Sequence, residues 1–328
     1  MKKEKNEKVE EITKKLEQGI QELFESEKYK KYLNVMSKLH SYSFNNSLLI
    51  AMQKPDATMV AGFTSWKRNF HRNVKKGEKG IRILAPSPYK INKKVDKIDP
   101  ITQQPILGRN GDPIKEHVQV TIPAYKITTV FDVSQTEGEK IPEIATALKN
   151  EVNDFEKMFQ VIEKVSPVPI ILNQINSGAN GYYDLEKKVI VIKRDMSEAQ
   201  TLKTAIHEIS HAKLHDKDSG IEAKVDRKTK EVEAESIAYT VCNHLGLDTS
   251  SYSFGYIAGW SSDKELEELK HSMNVIQHTA SDLITDIDRE LLPLEEVKKE
   301  ENCSLKEDKG KEEIVTQKNA GRYYHRSH

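Results

Sequence analysis

The chain has 328 residues, enough for two ordinary domains or for one domain with long tails. Its 51 Lys and Arg residues equal its 51 Asp and Glu residues, which excludes attraction to nucleic acid or membrane by net charge, so such binding needs a local cluster. The distant cysteines, Cys242 and Cys303, exclude a disulfide framework and a four-thiolate zinc site. No stretch approaches the roughly 20 apolar residues that cross a bilayer, and residues 1–15 lack the pattern of a signal peptide. We therefore expect a soluble, cytoplasmic protein without a membrane partner.

The N-terminal region begins with helical periodicity. Apolar residues recur every three or four positions from Val9 to Leu39, which predicts one long or two consecutive amphipathic helices. Ser41 and Ser43 are both candidate N-caps of a short buried helix that ends at Pro55. Next, the segment KKGEKG, residues 75–80, lies between two β-like runs and predicts the turn of a β-hairpin.

Turn-forming residues mark the end of a first domain. Residues 92–116 are polar, contain several prolines and glycines and have little apolar periodicity, which predicts a loop or flexible insertion. Strand-like residues resume over 118–133, and a polar stretch follows. We place the domain boundary in that stretch, so that residues 1–135 form the first domain and residues 143–291 the second.

The second domain opens with one helix and two β-like runs. Amphipathic spacing predicts a helix over residues 144–165, and a β-branched run follows over 168–172. Residues 189–192 are continuously apolar, as is typical of a strand inside a sheet. From residue 292 to residue 328 the chain is charged and poor in apolar residues, which predicts a disordered tail. The order of elements predicts an α+β fold.

Two further helices are predicted in this domain. Ser197, with Gln200 three residues later, forms a capping-box pattern that starts a helix running to about His215. A second helix is predicted from about Val225 to Leu245, with Gly246 as its C-terminal stop.

The first of these helices contains the sequence HEISH, which matches the pattern H-E-x-x-H. His207 and His211 are four residues apart, so on a helix both imidazoles face the same way and can bind one zinc ion. Glu208 lies beside that face, where it can accept a proton from a metal-activated water. The alternative is a chance match on a charged helix. We expect a zinc site because the motif follows directly after a strand and a helix cap.

A catalytic zinc needs a third protein ligand, and the segment EVEAES on the next helix offers three carboxylates. Glu233 shares a helix face with Ile237 and Val241, which should point into the core, so Glu233 is the expected ligand. The other two glutamates are expected to form a solvated charged face. His215 and His244 lie near helix ends, where they are expected to interact with the helix dipole.

Two histidines and one carboxylate leave a coordination position open, which favours hydrolysis over a structural role. The expected activity is that of a gluzincin-like zinc metallopeptidase, in which Glu208 is the general base. Tyr239, Tyr256 and His244 are the candidates for stabilising the oxyanion, and the sequence leaves the choice open.

A basic cluster occurs in the first domain, where a single acid, Glu78, stands among seven cations. The cations are Lys67, Arg68, Arg72, Lys75, Lys76, Lys79 and Arg82. Phe63, Trp66 and Phe70 are interleaved and can stack bases while the cations contact phosphates. Asn45 and Asn46 are further candidate DNA contacts. The alternatives are that the aromatic residues are core, the cations a solvated face and the asparagines caps or turn residues.

Longer segments resemble a known family, the ArdC-type antirestriction proteins of conjugative plasmids and transposons. Residues 42–70, YSFNNSLLIAMQKPDATMVAGFTSWKRNF, and 74–86, VKKGEKGIRILAP, resemble the single-stranded-DNA-binding domain of that family. The later segments HEISHAKLH, EVEAESIAY and SYSFGYIAGW resemble its zincin-like metallopeptidase domain. The second helix also resembles the E-A-x-x-x-A pattern of ImmA- and IrrE-type metallopeptidases, in which the position of Glu233 supplies the third ligand.

The resemblance implies a single-stranded-DNA-binding domain followed by a zincin-like domain with a small sheet. It implies Zn²⁺ as the cofactor, single-stranded DNA and an unidentified protein substrate as partners, and protection of mobile-element DNA from restriction during conjugative transfer. A non-enzymatic DNA-coating protein with a structural zinc is the main alternative. A metal-dependent nuclease is a third, although such sites tend to have carboxylate clusters and two metals.

Overall fold

The computed structural model describes residues 2–141, 155–216 and 225–291. The predicted tail over 292–328 and the first part of the helix predicted over 144–165 lie outside these residues. The fold is α+β, as the sequence predicts, with several small sheets and long helices.

Three helices form the N-terminal region: α1 (Lys2–Leu23), α2 (Ser26–Lys38) and α3 (Phe44–Gln53). The periodic region predicted from the sequence is thus two consecutive helices. The third begins where Ser43 acts as N-cap, since its side chain accepts a hydrogen bond from the backbone N–H of Asn46.

The first half continues with one short helix, α4 (Phe63–Arg68), and seven strands. The strands are β1 (Val60–Gly62), β2 (Arg72–Val74), β3 (Ile81–Pro86), β4 (Tyr89–Asp96), β5 (Lys115–Ile122), β6 (Tyr125–Asp132) and β7 (Thr136–Gly138). One antiparallel sheet has the order β1-β6-β3, and β2 pairs with β7 in another. The hairpin predicted around residues 75–80 is therefore wrong. That turn joins strands of two different sheets, whose partners come from much later in the chain.

A long hairpin forms instead from β4 and β5, which pair antiparallel from Tyr89 with Ile122 to Asp96 with Lys115. Two isolated bridges, Ile98 with Pro105 and Leu107 with Pro113, lie within the segment that connects the two strands. The loop or flexible insertion predicted over residues 92–116 is corrected accordingly, because strands occupy both of its ends. Most side chains of this hairpin are exposed. The strand β4 has lysines at adjacent positions and no regular apolar alternation, whereas Val118, Val120 and Ile122 of β5 do alternate, which is why the sequence predicts strand structure from residue 118.

The second half contains three strands and five helices among the described residues. They are α5 (Phe155–Val165), β8 (Ile170–Asn173), β9 (Gly181–Asp184), β10 (Val189–Lys193), α6 (Glu198–Leu214), α7 (Arg227–His244), α8 (Ile257–Ser261) and α9 (Leu266–Leu291). The central strand β10 is parallel to β8 and antiparallel to β9, which leaves β9 at an edge. Ser197 caps α6 and Gly246 follows α7 with φ +73°, so both predicted helix limits are confirmed.

The largest apolar cluster contains residues from both halves of the chain, from α1 and α2 as well as from α5, α6, α7 and α9. At its centre the fully buried Tyr29 of α2 bonds through its hydroxyl to Ser236 Oγ of α7, 2.8 Å away. The boundary between residues 135 and 143 stays a prediction, while the packing of the first two helices extends across it. Within the described residues, none of the helices has the length and apolar character needed to cross a bilayer.

Candidate metal centre

The helix α6 presents two histidines at the position that the motif predicts. Leu202, Ile206 and Ile209 are buried and hold one side of the helix against the core. His207 and His211, four residues apart, lie on the other side, with their Nε2 atoms 3.1 Å from each other. The helix spacing thus brings two imidazole nitrogens to one point.

Glu231, near the start of α7, faces the same point. Its Oε2 atom is 3.7 Å from His207 Nε2 and 3.7 Å from His211 Nε2. These three residues form one of two groups within the described part of the chain in which three metal-ligating side chains place their ligand atoms within 4.8 Å of one another.

Glu233, the expected third ligand, is placed elsewhere. It is 4% exposed, and its Oε2 atom is 3.2 Å from His215 Nε2. Two positions on a helix correspond to a rotation of about 200°, so Glu231 and Glu233 project to nearly opposite sides. The prediction assumed that the metal faces the apolar core. The half-buried histidines lie at the margin of that core. Glu231, which was expected to be solvated, is the glutamate that faces them.

Further hydrogen bonds orient the two histidines. Glu235 Oε2 is 3.3 Å from His207 Nδ1, and His215 Nδ1 is 2.9 Å from His211 Nδ1. Since His215 also contacts Glu233, a chain of three groups runs from His211 into the core. Such partners fix the tautomer and the ring orientation of metal-binding histidines. The i, i+4 spacings of Glu231 with Glu235 and of His211 with His215 are the signals in the sequence that could have revealed them.

The donor set fits a divalent transition metal. Tetrahedral zinc with bonds of about 2.0–2.1 Å places its ligand atoms about 3.3–3.4 Å apart. The separations of 3.1, 3.7 and 3.7 Å lie on both sides of that value. Two imidazoles and one carboxylate are also the ligand types that zinc takes in catalytic sites.

Glu208 lies beside these donors and is 7% exposed. Burial raises the pKa of Glu208 above its usual value, and the neighbouring His207 opposes that shift. Strand β9 passes close above: a Cβ on Gly181 would lie 2.6 Å from Thr204 Cγ2 and 3.4 Å from Glu208 Cγ. Only glycine allows this approach, which places the edge strand over the candidate general base.

The charges of the donors are strongly coupled. Burial lowers the pKa of His207, but hydrogen bonds to Glu231 and Glu235 outweigh it and raise that pKa to about 9. Hydrogen bonds from His207 and His211 hold the pKa of Glu231 well below its usual range. The pKa of His211 is lowered, first by burial. The Glu231 carboxylate is therefore anionic, while the pKa values of the two imidazoles are shifted in opposite directions.

The three candidates for oxyanion stabilisation occupy different environments. Tyr239 is buried and packs against Tyr252 and Phe254. His244 contacts Asp288, in the other ligand group. Tyr256 is 46% exposed, and its pKa is raised by burial and by the charges of Glu235 and Glu231. Tyr256 is thus the candidate that is both accessible and within electrostatic reach of the centre.

Three of the predicted DNA-binding residues form hydrogen bonds within the protein. Trp66 is fully buried and donates from Nε1 to the carbonyl oxygen of Phe131 at 2.8 Å, so it is not available for base stacking. The Arg72 guanidinium donates to Thr136. The Asn46 amide bonds to both the N–H and the C=O of Leu84, each at 2.9 Å.

The remaining predicted residues are exposed. They are Asn45, Lys67, Arg68, Lys75, Lys76 and Lys79. Lys75 donates to the carbonyl oxygen of Ser134, and Phe63, which is 58% exposed, is the accessible aromatic ring beside them. The candidate DNA-binding surface therefore consists of these cations and Phe63.

Two family descriptions match successive parts of the chain. Residues 2–131 match the sequence model of the "N-terminal domain of anti-restriction factor ArdC". Residues 125–239, which include the candidate metal centre, match the "Putative metallopeptidase family (DUF6782)". The chain thus combines an ArdC-like N-terminal domain with a segment that matches a family described as metallopeptidases.

Individual relatives are similar to parts of the chain. The uncharacterized protein pXO2-81 of Bacillus anthracis is 29% identical over 286 residues, which are 80% of this chain and 48% of that protein. The DNA primase TraC of Escherichia coli is 38% identical over 65 residues, which are 20% of this chain and 6% of the primase. The chain therefore spans about half, or less, of the curated relatives it matches.

Two crystal structures of the antirestriction ArdC protein from plasmid R388 are also similar. The metal-free structure is 20% identical with a TM-score of 0.41, and the alignment covers 76% of this chain and 85% of that one. The Mn(II)-bound structure is 18% identical with a TM-score of 0.43, covering 77% and 86%.

Proposed function

We propose that this protein is a zinc-dependent peptidase in which His207, His211 and Glu231 bind the metal and Glu208 is the general base. The observation that carries the proposal is the convergence of His207 Nε2, His211 Nε2 and Glu231 Oε2, with a buried carboxylate beside them. The match of residues 125–239 to a metallopeptidase family supports it.

The chain's own residues supply the other parts of amide hydrolysis. A bound zinc ion contributes a Lewis acid that polarises a carbonyl and acidifies water. Glu208 accepts the proton of the attacking water, and its raised pKa brings it closer to neutral pH, where a general base is most effective. Tyr256 donates a hydrogen bond to the oxyanion. Strand β9 offers a sheet edge beside Glu208, along which an extended peptide can add as a further strand.

The N-terminal half binds single-stranded DNA in this proposal. Lys67, Arg68, Lys76 and Lys79 contact phosphates, and Phe63 stacks on a base. The match of residues 2–131 to the ArdC N-terminal domain supports this, as does the similarity of 65 residues to a DNA primase. The combined protein acts in the cytoplasm and protects mobile-element DNA from restriction during conjugative transfer, with DNA bringing the peptidase to its protein substrate.

Glu208→Gln tests the peptidase. This variant should keep its zinc and lose hydrolysis of a fluorescently labelled denatured protein by roughly 10²–10⁴-fold, because proton transfer is removed while the ligands remain. The matched control is Glu198→Gln, an exposed glutamate on the same helix. A Glu208→Gln protein that retains zinc and full hydrolysis contradicts the mechanism. If hydrolysis is lost while transferred DNA is still protected, hydrolysis is not the protective activity.

A further inference from the structure

A second group of metal-ligating side chains lies away from the candidate centre. His40 from the connection between α2 and α3, His244 from the last turn of α7 and Asp288 from α9 place their ligand atoms within 4.8 Å of one another. Glu231 and His244 are 13 positions apart on α7, which is about 20 Å at 1.5 Å per residue. The second group is therefore a separate site and not a second metal position beside the first.

The hydrogen bonds of His244 prepare one ring nitrogen for a cation. Its Nδ1 atom is 3.0 Å from the carbonyl oxygen of Ser37, and because a carbonyl only accepts, Nδ1 carries the hydrogen. Nε2 then faces both carboxylate oxygens of Asp288, at 3.0 and 3.1 Å. A lone pair against a carboxylate is repulsive, so either a proton or a metal ion must lie between them. A backbone carbonyl on the other nitrogen is the usual partner of a metal-binding histidine.

His40 adds a nitrogen that has no partner. Its ring packs edge-on against His244, with the centroids 5.3 Å apart. Its Nδ1 atom is buried, and it is the one buried side-chain nitrogen or oxygen of the described residues without a hydrogen bond. Buried polar atoms are nearly always paired, so this one points to a missing ligand. Gln277 of α9 fixes the position of His40 by donating to the carbonyl oxygens of His40 and Tyr42, at 2.8 and 2.7 Å.

We propose that His40, His244 and Asp288 bind a second divalent transition-metal ion, of which Zn²⁺ is the best match to two imidazoles and one carboxylate. A proton on His244 satisfies Asp288 alone, whereas a metal ion satisfies Asp288, His244 and the unpartnered nitrogen of His40 together. The ion ties the N-terminal helices to α7 and α9. This site does not depend on the proposed peptidase activity.

Metal counting on the full-length chain tests the proposal. After chelator treatment and dialysis against Zn²⁺, the wild type should hold two equivalents by elemental analysis. Asp288→Asn and His40→Ala should each hold one equivalent, as should Glu231→Ala, and Glu231→Ala combined with His40→Ala should hold none. Asp286→Asn is the control, because Asp286 lies on the same helix and its contact with Arg289 is exposed.

The outcomes separate the two sites. If the wild type holds one equivalent that Glu231→Ala removes and His40→Ala keeps, the second site does not exist and His244 with Asp288 is a protonated pair. If Glu231→Ala keeps a metal that His40→Ala removes, the second site stands while the proposed peptidase centre fails. Should Asp288→Asn unfold by circular dichroism, His40→Ala decides alone, because it removes one ligand and leaves the contact between His244 and Asp288.

Discussion

Glu231 and Glu233 are two residues apart on α7, and substituting each of them separately tests the geometry of the centre most directly. Glu231→Gln removes the carboxylate proposed as a ligand, so zinc affinity in chelator competition should fall by more than it does in Glu233→Gln. Glu233 reaches His211 only through His215, so its loss should weaken binding by no more than about 10–100-fold, the effect that is typical of a direct partner of a ligand. Glu267→Gln, on the exposed face of α9, is the control. A larger effect at Glu233 than at Glu231 contradicts the ligand set.

Tyr256 is the side chain proposed to stabilise the oxyanion. Removing one such donor typically lowers kcat by about 10²–10³-fold, so Tyr256→Phe should lose activity on that scale and retain its metal. Tyr125→Phe, an exposed tyrosine on β6, is the matched control and should behave as the wild type. Unchanged kcat in Tyr256→Phe would show that another group supplies the hydrogen bond.

At this scale the sequence predicts some residues and not others for a physical reason. His207, Glu208 and His211 belong to one helix, so their spacing alone determines which face they share. The third carboxylate is on another helix, and choosing between Glu231 and Glu233 requires the rotation of α7 relative to α6. Trp66 illustrates the same limit, since its burial depends on Phe131, which is 65 residues away in the sequence.

Among the elements, α3 provides hydrogen-bond partners to the open side of the edge strand β3, where a neighbouring strand would otherwise pair. Asn46 bonds to the backbone of Leu84, and about two turns further along α3 Gln53 bonds to the N–H and C=O of Arg82, each at 2.9 Å. The two amides therefore pair backbone groups that an edge strand otherwise leaves open.

Asn46→Ala removes one of these pairs of hydrogen bonds. It should lower the free energy of unfolding by about 1–3 kcal/mol, because two backbone groups lose their partners. Asn45→Ala is the neighbouring control, and as an exposed substitution it should change stability by less than about 0.5 kcal/mol. Urea titrations of the two variants measure the difference. Equal stabilities would mean that water replaces the amide without loss.

The start of α7 has a pH-dependent contact. Asp226 caps the helix through Thr229, and its hydrogen bond with Lys264 lowers the pKa of Asp226 well below the ordinary value of 3.8. Its contribution to stability is therefore complete above about pH 4 and is lost as the pH falls further, toward the folded-state pKa. In melting curves, Asp226→Asn should differ from the wild type at pH 6, and the difference should shrink below pH 4. A difference that stays constant down to pH 2 contradicts this.

Elements with local signals are predicted well, and elements that depend on distant pairing are not. Caps and apolar spacing identify α3, α6 and α7 because all of their information lies within one segment. In the hairpin of β4 and β5, the segment 92–116 has exposed lysines and turn-forming residues instead of apolar alternation, so it resembles a loop, whereas the alternation from Val118 identifies the end of β5. The partners of β2 and β3 lie 39 or more residues away, beyond the reach of any local pattern.

At the scale of the whole molecule, the N-terminal half is proposed to bind the DNA that brings the peptidase to its substrate. Lys76→Ala with Lys79→Ala should weaken binding to single-stranded DNA and reduce the slope of log affinity against log salt by about 1.4, since each phosphate contact contributes about 0.7. An exposed pair elsewhere, Lys164→Ala with Lys187→Ala, should leave the slope unchanged. Fluorescence anisotropy over a salt series measures both. An unchanged slope in the first pair removes this surface from the binding site.

The contact of Tyr29 with Ser236 has a consequence for how the molecule can be divided. A cut in the polar stretch after residue 135 separates α1 and α2 from the helices whose apolar surfaces they cover. Neither fragment then retains a complete hydrophobic core, and each exposes the apolar surface that packs against the other in the intact chain. Expressed as two polypeptides, the fragments reassemble by complementation or they aggregate. A recombinant that replaces one half at this junction therefore does not exchange an independently folding unit.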